Sequence, residues 1–252
     1  MNPRTVRRIG EGLVSLAVFL VAWKLLTVVT GTPEYILPAP EAVAERGARA
    51  IGSGVLWEHT AATLLEVVLG FALGAATAIG VGVALGKSLV IERVLSPYIV
   101  AAQAVPILAL APLLDIWFGG GLLARVLVCA LIVFFPIAIA TMVGVRSADP
   151  LLREMLRSLG ATPGQLTRRL EIPSALPVLF GGLRVGVTLS VIGAVVAEWV
   201  SASVGLGVLI NIADQGLFDT PLMFVALAAL AIIGLAFYGL VVFVERRLVH
   251  SA

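Results

Sequence analysis

Six apolar runs divide this chain, at about 13–30, 61–86, 97–117, 122–145, 177–200 and 221–244, and each is long enough to cross a bilayer as a helix. The longest polar interruption is Asp149 to Pro177, DPLLREMLRSLGATPGQLTRRLEIPSALP. Asp149-Pro150 opens a helix with an N-cap and a proline at the first helical position, and Gly160 closes it. Thr162-Pro163-Gly164-Gln165 follows as a capping box, so a second short helix starts at Pro163. Pro173 is expected to end it and Ser174 to cap the next span. Two short helices with defined joints, flanked by membrane spans, are predicted. On the first helix Leu151, Leu152, Met155, Leu156 and Leu159 share one face while Arg153, Glu154 and Arg157 share another. Periodicity leaves open whether this helix rests on the membrane surface or docks a partner.

Other interruptions punctuate the spans. Residues 31–58, with Pro33, Pro38 and Pro40 and then an Ala-rich helical piece, lie outside, and Trp57 and His59 mark the return to the membrane. Glycines at 70, 74, 82 and 86 give small-x-x-x-small pairs that let a neighbouring helix approach. Pro106 and Pro112 break the third run, which is tolerable in lipid only against protein or a water-filled path. Residues 201–220 are too short and mixed to span and fit a re-entrant or surface segment. Lys24, near the outer end of the first run, is read as snorkelling to the interface.

Composition supports a membrane protein. The 252 residues are 60% hydrophobic and 13% charged, with a mean hydropathy of +1.09. Arg4, Arg7 and Arg8 precede the first run, and no small-x-small cleavage signal closes it, so it reads as a span rather than a leader. Thirteen of the 17 Lys and Arg residues fall on proposed inner segments; Arg46, Arg49 and Arg125 fall outside, and Lys24 lies within a span. That asymmetry predicts both termini inside. The basic residues sit at span ends rather than in one patch, which argues against nucleic acid. GVGVALGKS at 80–88 imitates a phosphate-binding loop, but position 81 is Val where glycine is required, and the lysine ends a span rather than following a strand. Cys129 is the single cysteine. His59 and His250 stand at opposite ends of the topology, and no catalytic or metal-binding set can be assembled.

Charged groups inside spans cost about 2.5–3.5 kcal/mol by insertion scales. Glu66, Asp115, Arg184 and Glu198 are such groups. Asp115 either reports on a solute or pairs with Arg125. Glu198 is expected chiefly to brace the following Gly-Leu-Gly segment. Gln103 and Pro106, in the proline-bearing run, are candidates to line a path.

The central stretch resembles the EAA loop of ATP-binding-cassette importer permeases. Glu154, Gly160 and then Leu170-Glu171-Ile172-Pro173 keep the spacing E-A-A-x-x-x-G, nine residues, I-x-L-P, with Met155 and Leu156 replacing the alanines. YILPAPEAVAE, PILALAPLLDIWFG, FFPIAIATMVGVRSADP and AEWVSASVGLGVLI are similar to permeases of the nitrate, taurine and sulfonate group. The resemblance implies an all-α, type I importer permease with six helices, paired with a second copy, two ATPase subunits that carry the ATP and magnesium, and an external solute-binding protein. It implies that Glu154, Gly160, Ala161, Thr162, Pro163, Gln165, Leu170, Ile172 and Pro173 form the ATPase-coupling element, with residues 160–168 docked in the ATPase. The path would follow the two-fold axis between the third, fourth and fifth spans. Nitrate, taurine and alkanesulfonates are implied substrates; the EWVSAS…GLG and FDTPLMF…ERRL segments look closer to relatives that take thiamine-precursor pyrimidines or riboflavin-like heterocycles. An ion-coupled transporter or channel, or a scaffold that only anchors an ATPase, are the rival readings.

Overall fold

The computed structural model describes residues 3–216 and 218–249, so His250 lies outside the described residues. Eleven helices are described: α1 Pro3–Thr30, α2 Pro40–Gly52, α3 Val55–Lys87, α4 Leu89–Ala104, α5 Ile107–Phe118, α6 Leu122–Arg146, α7 Pro150–Ser158, α8 Pro163–Leu166, α9 Ile172–Ser201, α10 Leu206–Asn211 and α11 Thr220–Val249. Two π-helical turns, Thr167–Glu171 and Ile212–Gly216, follow α8 and α10. Among the described residues five helices are long and apolar enough to span, and α4 with α5, bent by 96° at their break, makes a sixth if the pair crosses together.

Packing centres on α6, held between α3 and α9. The close approach rests on glycine faces. A Cβ at Gly74 would lie 2.7 Å from Ala130 O, and one at Gly82 would lie 2.5 Å from Thr141 Cβ. From the other side, a Cβ at Gly186 would lie 2.7 Å from Ile137 Cδ1. Such contacts bring backbones together where lipid gives no hydrophobic drive to associate. Ala75, Ala78, Val133, Ile137 and Ala138 form the buried centre of this layer. A second core of Leu206, Leu209, Ala213, Leu222 and Ala226 packs α10 against α11.

Several boundaries depart from the sequence expectations, and the reasons are local. The third run is two helices. Pro106 lacks an N–H and its ring excludes the carbonyl of Ala102, so Val105 turns extended (φ −77°, ψ 122°) and α4 stops. α4 also reaches back to Leu89, capped by Ser88 through Ile91 N–H, and Pro97 lies inside it. The fifth span starts earlier than 177, because Pro173 does not end the helix that starts at Pro163. The π turn shifts the bonding register, with Ile172 N–H donating to Thr167 O. The proline's missing donor is absorbed there, and an apolar helix of 39 residues runs from Pro163 to Ser201. Of the two expectations for residues 201–220, the re-entrant one fits the helix α10, whose Leu206 to Leu209 are buried, while Phe218 is exposed. α3 and α11 are longer than expected at both ends. Lys24 does not simply snorkel, since its ammonium pairs with Glu41 of α2, and this hydrogen bond holds the Glu41 carboxyl below its ordinary pKa.

Candidate functional site

The polar stretch folds into a jointed arm. Asp149 Oδ1 accepts from Leu151 N–H at 2.8 Å and starts α7. At the other end Gly160 takes φ +81°, Gly160 N–H donates to Arg157 O at 2.9 Å and Ala161 N–H to Leu156 O at 3.0 Å. That pair of bonds is a Schellman closure, which needs the left-handed conformation that glycine adopts without strain. Two residues on, Thr162 N–H donates to Gln165 Oε1 at 2.8 Å and Gln165 N–H to Thr162 Oγ1 at 3.3 Å, completing the capping box. Leu166 and Leu170 turn inward and are buried. Arg153 lies 3.4 Å from Glu171, and Ser147 Oγ donates to Ser174 O at 3.0 Å, tying the arm to the spans.

The arm's far face is open. Leu151 and Leu159 are each 75% exposed, and Met155 and Ile172 are about half exposed. Glu154 is exposed with no charge partner among the described residues; Thr162, Pro163 and Gln165 are also exposed, and Ala161 and Pro173 are partly covered. The two-part arm therefore presents an exposed apolar face with a carboxylate beside it.

At the opposite end of the spans a buried polar latch holds α10. Glu198 is 1% exposed. Its Oε1 accepts from Thr63 Oγ1 at 2.5 Å and its Oε2 from Gly207 N–H at 2.5 Å. Thr63 Oγ1 also accepts from Leu206 N–H at 2.8 Å, and Trp199 Nε1–H donates to Gly207 O at 3.0 Å. His59 Nδ1 faces the backbone of Gly205, 2.6 Å from its O and 3.0 Å from its N. The first donors of α10 are thus satisfied by side chains of α3 and α9. Gly205 has φ +151°, and a Cβ there would enter the Glu198 carboxylate.

One helical step inward, Glu66 is fully buried and lies 2.7 Å from Arg125 Nε. Arg125 therefore serves Glu66 and not Asp115. Asp115 sits in the last turn of α5, and its Oδ1 is buried without a hydrogen-bond partner. Gln103 and Pro106 lie together at the α4–α5 break, in a cavity of about 390 Å³ also walled by Ile107, Leu110, Leu131 and Phe135. The four residues read from sequence as path candidates are thus brought to three places: the break, the end of α5, and the latch. Thr63 and Arg125 were missed as partners of Glu198 and Glu66, and His59 as the partner of the Gly205 backbone. The spacing 59, 63, 66 on one helical face was the available signal. Among the described residues no group of three or more His, Cys, Asp or Glu side chains is placed to hold a metal.

Residues 70–250 match the protein family described as "Binding-protein-dependent transport system inner membrane component". The riboflavin transport system permease protein RibX of Chloroflexus aurantiacus is 50% identical, over 94% of this chain and 88% of its own. The formylaminopyrimidine transport permease protein ThiX of Halalkalibacterium halodurans is 35% identical over 86% and 85%, and the taurine transport system permease protein TauC of Escherichia coli 32% over 90% and 84%. Among solved structures, an amino acid ABC transporter with histidines superposes with a TM-score of 0.64 at 22% identity, covering 80% of this chain and 97% of that one. The inward-facing MetNI methionine ABC transporter gives 0.59 at 24%, covering 78% and 93%.

Proposed function

Because this chain belongs to the family of binding-protein-dependent transport inner membrane components, the permeases of ATP-binding-cassette importers, we propose that α7 and α8 are its ATPase-coupling arm and that its solute is a small heterocycle. The carrying observation is the arm's construction: a Schellman joint at Gly160, a capping box at Thr162 and Gln165, and an exposed apolar face flanked by Glu154. Short capped helices transmit displacement instead of bending. ATP closes two ATPase subunits, the arm docked by residues 160–168 moves with them, and the continuous helix from Pro163 to Ser201 carries the motion through the membrane. Glu154 and the α7 arginines orient the first segment, while Leu170, Ile172 and Pro173 join it to the span. Two copies frame the path, with both ends of the chain and the arm on the cytoplasmic side, a placement supported by the arginine distribution.

The solute reading is supported by the 50% identity to a riboflavin permease. It is also supported by the cavity at the α4–α5 break, where Gln103 has the one polar side chain among the lining residues. A sulfonate or nitrate there would be an unpaired charge in apolar walls. Uptake of labelled riboflavin into vesicles holding the complete transporter is expected to be competed by unlabelled riboflavin or formylaminopyrimidine and untouched by excess taurine. Uptake of labelled taurine with no ATP-dependent uptake of riboflavin would contradict the heterocycle reading.

A further inference from the structure

Two cavities at the arm's inner side share one wall, and together they have the form of a lipid. The first, about 360 Å³, is lined by Lys87, Arg146, Arg153 and Arg157, with Glu171 as the one carboxylate in its wall. The second, about 280 Å³, is an apolar groove between Ile79 and Val83 of α3, Val145 of α6, and Ile172, Leu176 and Leu179 of α9. Lys87, Val145, Thr167 and Glu171 line both.

Charge in the first cavity is not balanced. Arg146 is paired with Glu92 at 2.7 Å and also donates to Leu85 O, capping α3; Arg153 is 3.4 Å from Glu171. Lys87 and Arg157 have no partner among the described residues, and Arg153 Nε is buried with no hydrogen-bond acceptor. Arg153 Nε is thus a buried donor that calls for an acceptor, and the exposed ammonium of Lys87 and guanidinium of Arg157 add unpaired positive charge beside it. The groove continues from this charged mouth along one stripe of α3, from Lys87 through Val83 to Ile79, about 12 Å at 1.5 Å per residue. A phosphate oxygen cluster satisfies the mouth and an alkyl chain fills the groove.

We propose that this double cavity binds one anionic phospholipid, its phosphate at Lys87, Arg153 and Arg157 and one acyl chain between α3, α6 and α9. On the proposed orientation the mouth opens at the cytoplasmic surface, where anionic lipids are drawn to clustered Lys and Arg between spans. An acyl chain gains little by leaving other chains for the groove, so headgroup charge sets selectivity and the groove sets position. The bound lipid would join the ends of α3 and α6 to α7 and α8. That mechanical consequence rests on the coupling role proposed above; the binding itself does not.

Native mass spectrometry of the full chain in mild detergent separates the two, since it needs no ATPase. One phosphatidylglycerol is expected to stay bound at concentrations where phosphatidylcholine does not. Arg153→Gln with Arg157→Gln should weaken it roughly tenfold or more, as loss of two cations near a phosphate predicts. Val83→Trp, or Leu179→Trp from the opposite wall should the first fail to fold, should weaken it comparably by filling the groove. Inorganic phosphate should not displace it. Equal retention of phosphatidylcholine, displacement by phosphate alone, or retention unaffected by both groove variants would overturn the proposal.

Discussion

Gly160→Pro is expected to reduce solute-stimulated ATP hydrolysis in the reconstituted transporter by tenfold or more, while the chain still inserts in the membrane. Gly160 sits at φ +81° and its N–H donates to Arg157 O. Proline removes that donor, fixes φ near −65° and drives Leu159 out of the helical region. No atom lies within 4 Å of the position a Cβ would take, so the damage is conformational and not steric. A graded series follows from this. Gly160→Asn, which tolerates the left-handed region, should keep most coupling; Gly160→Ala should lose part, at a cost of about 1–2 kcal/mol; Gly160→Pro should lose nearly all. Stimulated ATPase rates measured on the three variants with the binding protein and solute present give the order. Wild-type rates in Gly160→Pro would remove the arm from the coupling mechanism.

Glu198→Ala should have the largest effect on stability. The substitution leaves Thr63 Oγ1 and Gly207 N–H without their buried acceptor, a loss of about 3 kcal/mol since two buried donors go unsatisfied. For a chain of this size that lowers the thermal midpoint by roughly 6–12 °C. The single cysteine, Cys129, is fully buried against α3 and α9. A thiol-reactive fluorophore in detergent therefore reads unfolding directly. Thr63→Val should produce a smaller drop, and the double variant less than the sum, because both changes break one network. A midpoint for Glu198→Ala within about 2 °C of wild type would show that the latch does not hold α10 in place.

What the sequence made legible follows its local physics. Apolar runs located the long apolar helices, because a bilayer demands their length regardless of partners. The caps at Asp149, Gly160 and Thr162 were readable for the same reason: each is satisfied by residues within a few positions. Pro173 was misread because the rule that proline ends a helix does not anticipate a π turn that supplies the missing register. The latch was only half legible. Glu198 stood out as a charge in a span and was linked to its Gly-Leu-Gly neighbours, yet Thr63 and His59 lie 135 and 146 positions from their partners, and no local pattern pairs them. Asp115 and Arg125, ten positions apart, looked like a pair; the fold gives Arg125 to Glu66 across α3 and α6 instead.

The source of energy is the point on which the account stands. Vesicles should be prepared with this chain alone, and with its ATPase and solute-binding protein, and loaded with either ATP or an imposed ion gradient. Labelled riboflavin is expected to accumulate only in the complete transporter with ATP inside the compartment that holds the ATPase, and the Gly160→Pro version should not accumulate it. Accumulation driven by the ion gradient through this chain alone would contradict the account.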